Sequence, residues 1–375
     1  MVISGFHAAM THYSSPGRVN TDAVAQHQIA SVAGQSASQS LPSKHEAQPP
    51  VRKKARVVAV PITKPSAHVN TSDIYRAESP YSHAQRSFSD INTYSRTTLV
   101  NILCEPHSSG MNAISGSGVL IDSRGVILTN AHVAQYILIA DSGKIDFSCF
   151  VRAGAPARAL WKVEALYVPP VWISQHAADI RVEHPVGTGE HDYALVRITG
   201  SLDGSSLPVF PAQSLDVREG VAFTDDSVLI AGYPAEFIGG INTESNLFPV
   251  TSVTTVKEML TFASSTIDVM SLGGVIQAQG GSSGGAVINA WNYLVGIVTT
   301  ATEGKTTADR DLHALTLSYI NRDLSTQSGT NLAGWLNGDI AAEASAFKTG
   351  VAPELEALLL AFVHDRQNPS RAAGN

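Results

Sequence analysis

The sequence predicts an all-β domain between a polar N-terminal tail and a short helical C-terminal segment. Three observations carry that prediction. From Thr97 onward, short aliphatic and β-branched runs alternate with Gly, Asp, Ser and Pro, the texture of many short strands joined by turns. Asp122-Ser123-Arg124-Gly125 sits between two apolar runs as a hairpin turn, with Gly125 suited to a positive φ. Apolar residues at helical spacing appear only beyond Asn321.

Taken in order, residues 1–92 are dominated by Ser, Ala, Gln, His and Pro, hold no lasting apolar period and read as a disordered tail. The tail contains a basic run, Arg52-Lys53-Lys54-Ala55-Arg56, read as a solvated charge cluster. Candidate strands follow at Leu99–Leu103, Gly118–Ile121, Val126–Thr129, Tyr193–Ile198, Val228–Ala231, Ala286–Asn289 and Leu294–Thr299. The stretch Thr199 to Pro211, with Gly200, Gly204 and Pro208, joins two halves, about 93–203 and 204–328. Residues 329–375 form a helical extension, with apolar spacing over Ala333–Phe347 and Pro353–Val363.

Composition excludes several classes. The chain has 375 residues, of which 43% are hydrophobic and 15% charged, enough for a sizeable core. Its net charge of −7 is uneven: +4 over residues 1–90 and −11 over the rest, so the main domain is no phosphate-tracking nucleic-acid binder. Two cysteines, Cys104 and Cys149, are too few for a disulfide-rich scaffold or a structural zinc site; buried thiols and a single disulfide both stay open. No run approaches the roughly 18 apolar residues of a membrane span, and no basic segment precedes an apolar stretch at Met1–Met10 as in a signal peptide. The compartment and the oligomeric state are not read from the sequence.

Three segments carry chemistry. A serine hydroxyl is a poor nucleophile unless an imidazole takes its proton, a carboxylate holds that imidazole, and two N–H groups face the developing oxyanion. Gly280-Gly281-Ser282-Ser283-Gly284-Gly285 offers Ser283 as nucleophile and the N–H groups of Gly281 and Ser283 as oxyanion hole. The segment Gly116-Ser117-Gly118 leads through the hairpin to Thr129-Asn130-Ala131-His132-Val133, placing His132 at a strand end before a short turn. His191-Asp192-Tyr193-Ala194-Leu195-Val196 puts Asp192 just ahead of an apolar strand; Asp179, Glu183 and Glu190 lack that strand.

These three segments, in the order His, Asp, Ser, resemble the chymotrypsin/trypsin superfamily, closest in style to bacterial Deg-type and related trypsin-like proteases. The likeness covers about Thr97 to Leu324, with no room after it for a peptide-binding domain of usual size. It implies two six-stranded antiparallel β-barrels, a serine endopeptidase acting on polypeptides without cofactor or metal, and a secreted or cell-envelope setting. It also implies a primary pocket lined by Gln277 and by the strand Ala314–Thr316. The neutral Gln277 argues against Arg/Lys specificity. His313 and Thr316 allow an acidic residue to be bound; a pocket for small or aliphatic residues is the alternative.

Departures from the superfamily pattern are informative. Ser282 stands where trypsin-like zymogens carry an Asp that pairs with a new N-terminus, so the oxyanion hole is expected to form without N-terminal processing. Residues 1–92 are then expected to be dispensable for turnover. Val168 to Glu190 looks like an inserted surface loop; a metal site from His176, Asp179 and His184 is the weaker alternative. Gly281-x-Ser283-x-Gly285 also fits the elbow of α/β-hydrolases, but strand-like sequence follows it and the well-placed His precedes it. An amidase-signature reading lacks a fitting lysine. A silent protease-fold scaffold is the remaining rival.

Overall fold

Each of the seven apolar runs lies within a strand, apart from Tyr193 just ahead of one, and turns its aliphatic side chains into a core. The computed structural model describes residues 80–367 apart from 108–110, 183–186, 236–245, 263, 264, 303 and 307, together with residues 67, 68, 74 and 76. The first six long strands are β2 (Leu99–Pro106), β3 (Ile114–Asp122), β4 (Val126–Thr129), β5 (Phe147–Ala153), β6 (Arg158–Tyr167) and β7 (Ala194–Ser201). They close into an antiparallel barrel in the order β2-β3-β4-β7-β6-β5, with fully buried Val100, Ile102, Ile127 and Val196 sharing one face. The predicted hairpin joins β3 to β4. Gly125 has φ +86°, and a Cβ there would stand 3.0 Å from the Phe210 ring.

The second sheet runs β1-β10-β11-β14-β13-β12-β8-β9. Its members are β1 (Ala67–His68), β8 (Ser227–Gly232), β9 (Val250–Thr255), β10 (Glu258–Thr261), β11 (Val269–Ser271), β12 (Ala286–Asn289), β13 (Leu294–Ala301) and β14 (Leu312–Thr316). The class is all-β as expected, but this half is a curled eight-stranded sheet, not a closed six-stranded barrel. One extra strand, β1, comes from the predicted tail, with Ala67 opposite Thr261 on β10.

The boundary drawn at residue 92 also falls inside a helix, α1 (Phe88–Thr98), capped by the Ser87 side chain. Just before it, Tyr81 stacks on Tyr293 at 4.4 Å and donates to Asp216 at 2.5 Å, and Arg86 N–H donates to Ala290 O. The folded chain therefore starts by about residue 80. Arg52–Arg56 lies outside the described residues.

Helices fill the seams. Helix α2 (Ala131–Asp141) begins where a short turn was expected; it is apolar on most sides and rich in β-branched residues, so no one-sided period announces it. The stretch read as a surface loop contains α3 (Pro170–His176) and a 3-10 turn (Ala177–Arg181), with Trp172, Ile173 and Ile180 buried. After β14 come α4 (Leu317–Ser328), α5 (Leu332–Asn337), α6 (Ile340–Gly350) and α7 (Ala352–Gln367). Helix α6 packs on β6, and α7 packs on α2, α3 and the 3-10 turn through Leu355, Leu359 and Val363. Among the described residues no helix is long and apolar enough to cross a membrane. The two cysteines are register partners on β2 and β5 and form a disulfide.

The seam between α2 and the barrel holds a costly charge. Asp141, at the end of α2, accepts from Ala165 N–H at 2.9 Å, yet burial holds its pKa up at about 6. A carboxyl whose folded pKa lies above its unfolded value of about 3.9 gains stability as pH falls from 6 to 4 and loses it above. Asp141→Asn is therefore expected to raise stability at pH 7 by about 2 kcal/mol, a gain that vanishes at and below about pH 4. Urea melts of both proteins at the two pH values check it; an equal effect at both refutes it.

Candidate active site

The three motif segments meet where the barrel faces the second sheet. A tight turn, Asp192 N–H to Gly189 O at 3.0 Å, delivers Asp192 just ahead of β7, with Gly189 at φ +88° and His191 at +60°. His191 is held there by its N–H to the Tyr319 hydroxyl and by Nδ1 against Asp323 Oδ2 at 2.9 Å; the Tyr193 hydroxyl donates to the same oxygen. Both neighbours of Asp192 are thus tethered to α4.

Asp192 is 3% exposed, and its two oxygens receive three hydrogen bonds. Oδ1 accepts from the His132 backbone N–H at 2.9 Å. Oδ2 accepts from His132 Nδ1 and from Thr299 Oγ1, both at 2.8 Å. Burial pushes the Asp192 pKa up, but the charge and hydrogen bonds of His132, with Thr299, take it below the usual carboxylate range. Burial pulls His132 down, and the Asp192 charge and hydrogen bond outweigh it, leaving the imidazole above its ordinary value. With Nδ1 facing a carboxylate, the neutral ring keeps its proton there and leaves Nε2 free as a base.

His132 is the second residue of α2. The residue before the helix, Asn130, turns its amide away from capping and donates to Asp192 O at 2.7 Å. Ser283 stands in a turn that only glycine permits. Gly281 and Gly284 have φ of +90° and +82°, and a Cβ at Gly284 would lie 2.1 Å from Ser117 O. The Ser283 hydroxyl donates to Thr299 O at 3.4 Å rather than to His132. Such a bond is weak, and catalytic hydrogen bonds commonly tighten only with substrate bound.

The N–H groups of Gly281 and Ser283 have no acceptor among the described residues. A trans peptide points its N–H opposite to its C=O. Gly280 O is held by Ala235 N–H at 2.8 Å and Ser282 O by Gly285 N–H at 2.9 Å, so both free N–H groups have fixed directions. Ser282 is buried and carries no charge.

The three expected pocket residues are not brought together. Gln277 is fully buried, its amide nitrogen 3.4 Å from Ile230 O and 3.3 Å from Val250 O. His313 faces Asp311, with Nε2 3.1 Å from Oδ2. Thr316 lies on the opposite face of β14 from His313, where it caps α4 and donates to Ile267 O at 2.7 Å. Of the residues suggested for a metal, His176 contacts Asp179 at 2.8 Å, and His184 lies outside the described residues. Among the described residues no group of three or more His, Cys, Asp or Glu is arranged to hold a metal ion. Thr299 and Asn130 are the contacts that motif reading missed. Thr299 had a faint signal, a hydroxyl at the end of the strand after the nucleophile turn.

The family of the trypsin-like peptidase domain matches residues 116–297, which include all three segments. Over those residues the chain is similar to trypsin-like peptidase domains. A search of curated proteins finds no match. Among solved structures, the serine endoprotease from Yersinia pestis is similar over 66% of this chain and 70% of its own, at 17% identity and a TM-score of 0.41.

If His132 is the base, the rate should rise with pH about a midpoint above 6.5, because only the neutral ring accepts a proton. The stabilising His132–Asp192 ion pair runs the other way: it is full below about pH 6.5 and lost as pH rises through the raised pKa. Asp192→Asn should move the midpoint down and lower the rate on the order of 10⁴-fold. A profile flat from pH 4 to 8 in the wild type would exclude a histidine base.

Proposed function

We propose that this chain is a serine endopeptidase working through an acyl-enzyme on Ser283. One observation supports this reading above others: a buried Asp192 orients His132 beside a glycine turn whose two fixed N–H groups have no acceptor among the described residues. Ser283 Oγ attacks the scissile carbonyl carbon while His132 Nε2 takes its proton. The carbonyl electrons move to an oxyanion held by the N–H groups of Gly281 and Ser283. The C–N bond then breaks as His132 returns the proton to the leaving amine. Water, deprotonated by His132, attacks the ester, and Ser283 recovers its proton as the acid leaves. The uncharged Ser282 and the two carbonyl locks support a hole that needs no cut N-terminus.

A fluorophosphonate probe separates this reading from a silent scaffold, because only an activated serine reacts. The wild type should be labelled at Ser283, and Ser283→Ala and His132→Ala should each lower turnover on the order of 10⁴-fold or more, the double variant little further. Wild-type turnover in Ser283→Ala would end the assignment.

Specificity is not set by His313. An imidazole already facing the Asp311 carboxylate offers an incoming acidic side chain little net positive charge. Of peptides differing only in Glu, Gln, Val or Arg before the scissile bond, Val is expected to be cleaved better than Glu, with the order unchanged in His313→Ala. A preference for Glu that disappears in His313→Ala would overturn this.

A further inference from the structure

The residue that ties the nucleophile turn to the barrel is Ser117, midway along β3 and 0% exposed. Its N–H donates to Ser283 O at 2.7 Å. Its carbonyl accepts from Thr129 Oγ1 at 2.7 Å. Its hydroxyl accepts from Tyr233 N–H at 2.8 Å and donates to Gly281 O at 2.7 Å. A hydroxyl has a single proton, and with Tyr233 N–H already pointing into its lone pair that proton is committed to Gly281 O.

Three glycines make this approach possible. A Cβ at Gly116 would stand 2.7 Å from Val133, one at Gly118 would stand 2.5 Å from Ile127, and one at Gly284 would meet Ser117 O. Without them β3 could not lie against α2, β4 and the nucleophile turn together.

The consequence falls on Gly281. Glycine is the residue whose backbone turns most freely, and an oxyanion hole needs one whose N–H keeps its direction. Gly281 sits between two peptide planes. The plane before it is held by Ala235 N–H on Gly280 O, and the plane after it by the Ser117 hydroxyl on Gly281 O. With both planes held, φ and ψ of Gly281 have nowhere to go. Loss of the hydroxyl leaves the second plane held only by the long bond of Ser282 N–H to Gln279 O, at 3.4 Å, and leaves Gly281 O and the buried Tyr233 N–H without that partner.

We propose that Ser117 is a positioning residue for the oxyanion hole, acting across the sheet–sheet seam through Gly281 O. The inference rests on the acyl-enzyme reading above. Its test uses the full chain, a peptide amide substrate and the matching peptide aldehyde, whose tetrahedral adduct with Ser283 places an oxyanion in the same hole. Ser117→Ala should lower kcat about 10- to 100-fold, less than deletion of a hole donor, and leave KM within about threefold. The aldehyde should weaken by the same factor as kcat/KM. Ser117→Cys, which keeps a weak donor, should fall between Ala and wild type.

Equal kcat in folded Ser117→Ala and wild type overturns the proposal, as does a loss confined to KM. If Ser117→Ala does not fold, Ser117→Cys carries the same comparison; failure of both to fold assigns Ser117 to folding alone and also overturns it. The acyl-enzyme reading fails separately, on wild-type turnover in Ser283→Ala.

Discussion

Burying the carboxylate of Asp192 at a seam between two sheets costs several kcal/mol of hydration unless donors surround it. Those donors set much of the architecture. The His132 backbone N–H must arrive at the start of a helix, where an N–H has no partner in its own helix. The imidazole must lie alongside, and Thr299 must come from the other sheet. The positive-φ turn at Gly189 and His191 exists to bring the carboxylate in at that angle. Because one of its three hydrogen bonds belongs to β13, the carboxylate is fully satisfied only when both sheets are docked. Thr299 also accepts from Ser283, so the same residue touches the acid and the proposed nucleophile.

Much of this was legible in the sequence, and the limits follow from physical causes. The strands were readable because alternation and turn residues are local properties of the chain. The triad candidates were readable for the same reason: each sits in a short segment whose neighbours describe its surroundings. Helix α2 was not, because a helix buried on most sides has no polar face to mark its period. The contact of Thr299 with Asp192 and that of Ser117 with Gly281 join residues 107 and 164 positions apart, and nothing local records such pairings. Parity separates two of the expected pocket residues. His313 and Thr316 are three apart on one strand and so face opposite ways, and Thr316 is spent as a helix cap.

The parts that looked like appendages belong to the folded body. Tyr81, stacked on Tyr293 and bonded to Asp216, docks the end of the predicted tail on the second sheet. The stretch before Asp192 that looked like an inserted loop forms α3 and the 3-10 turn, and α7 closes over both. At the far end Tyr167 of β6 lies between Trp335 and Phe347, at 5.3 and 5.9 Å between ring centres. The C-terminal helices are part of the barrel's outer wall.

That wall has a consequence in time. A ribosome makes a chain from its N-terminal side, so β3, His132, Asp192 and the Ser283 turn all leave it before α7 does. Helix α7 packs on α2, the helix carrying His132, on which β5 and β6 also pack. The order of synthesis and the order of bracing are therefore partly opposed: every group of the proposed chemistry exists before one support of its base. Until α7 has been made, His132 sits on a helix that lacks one of its supports.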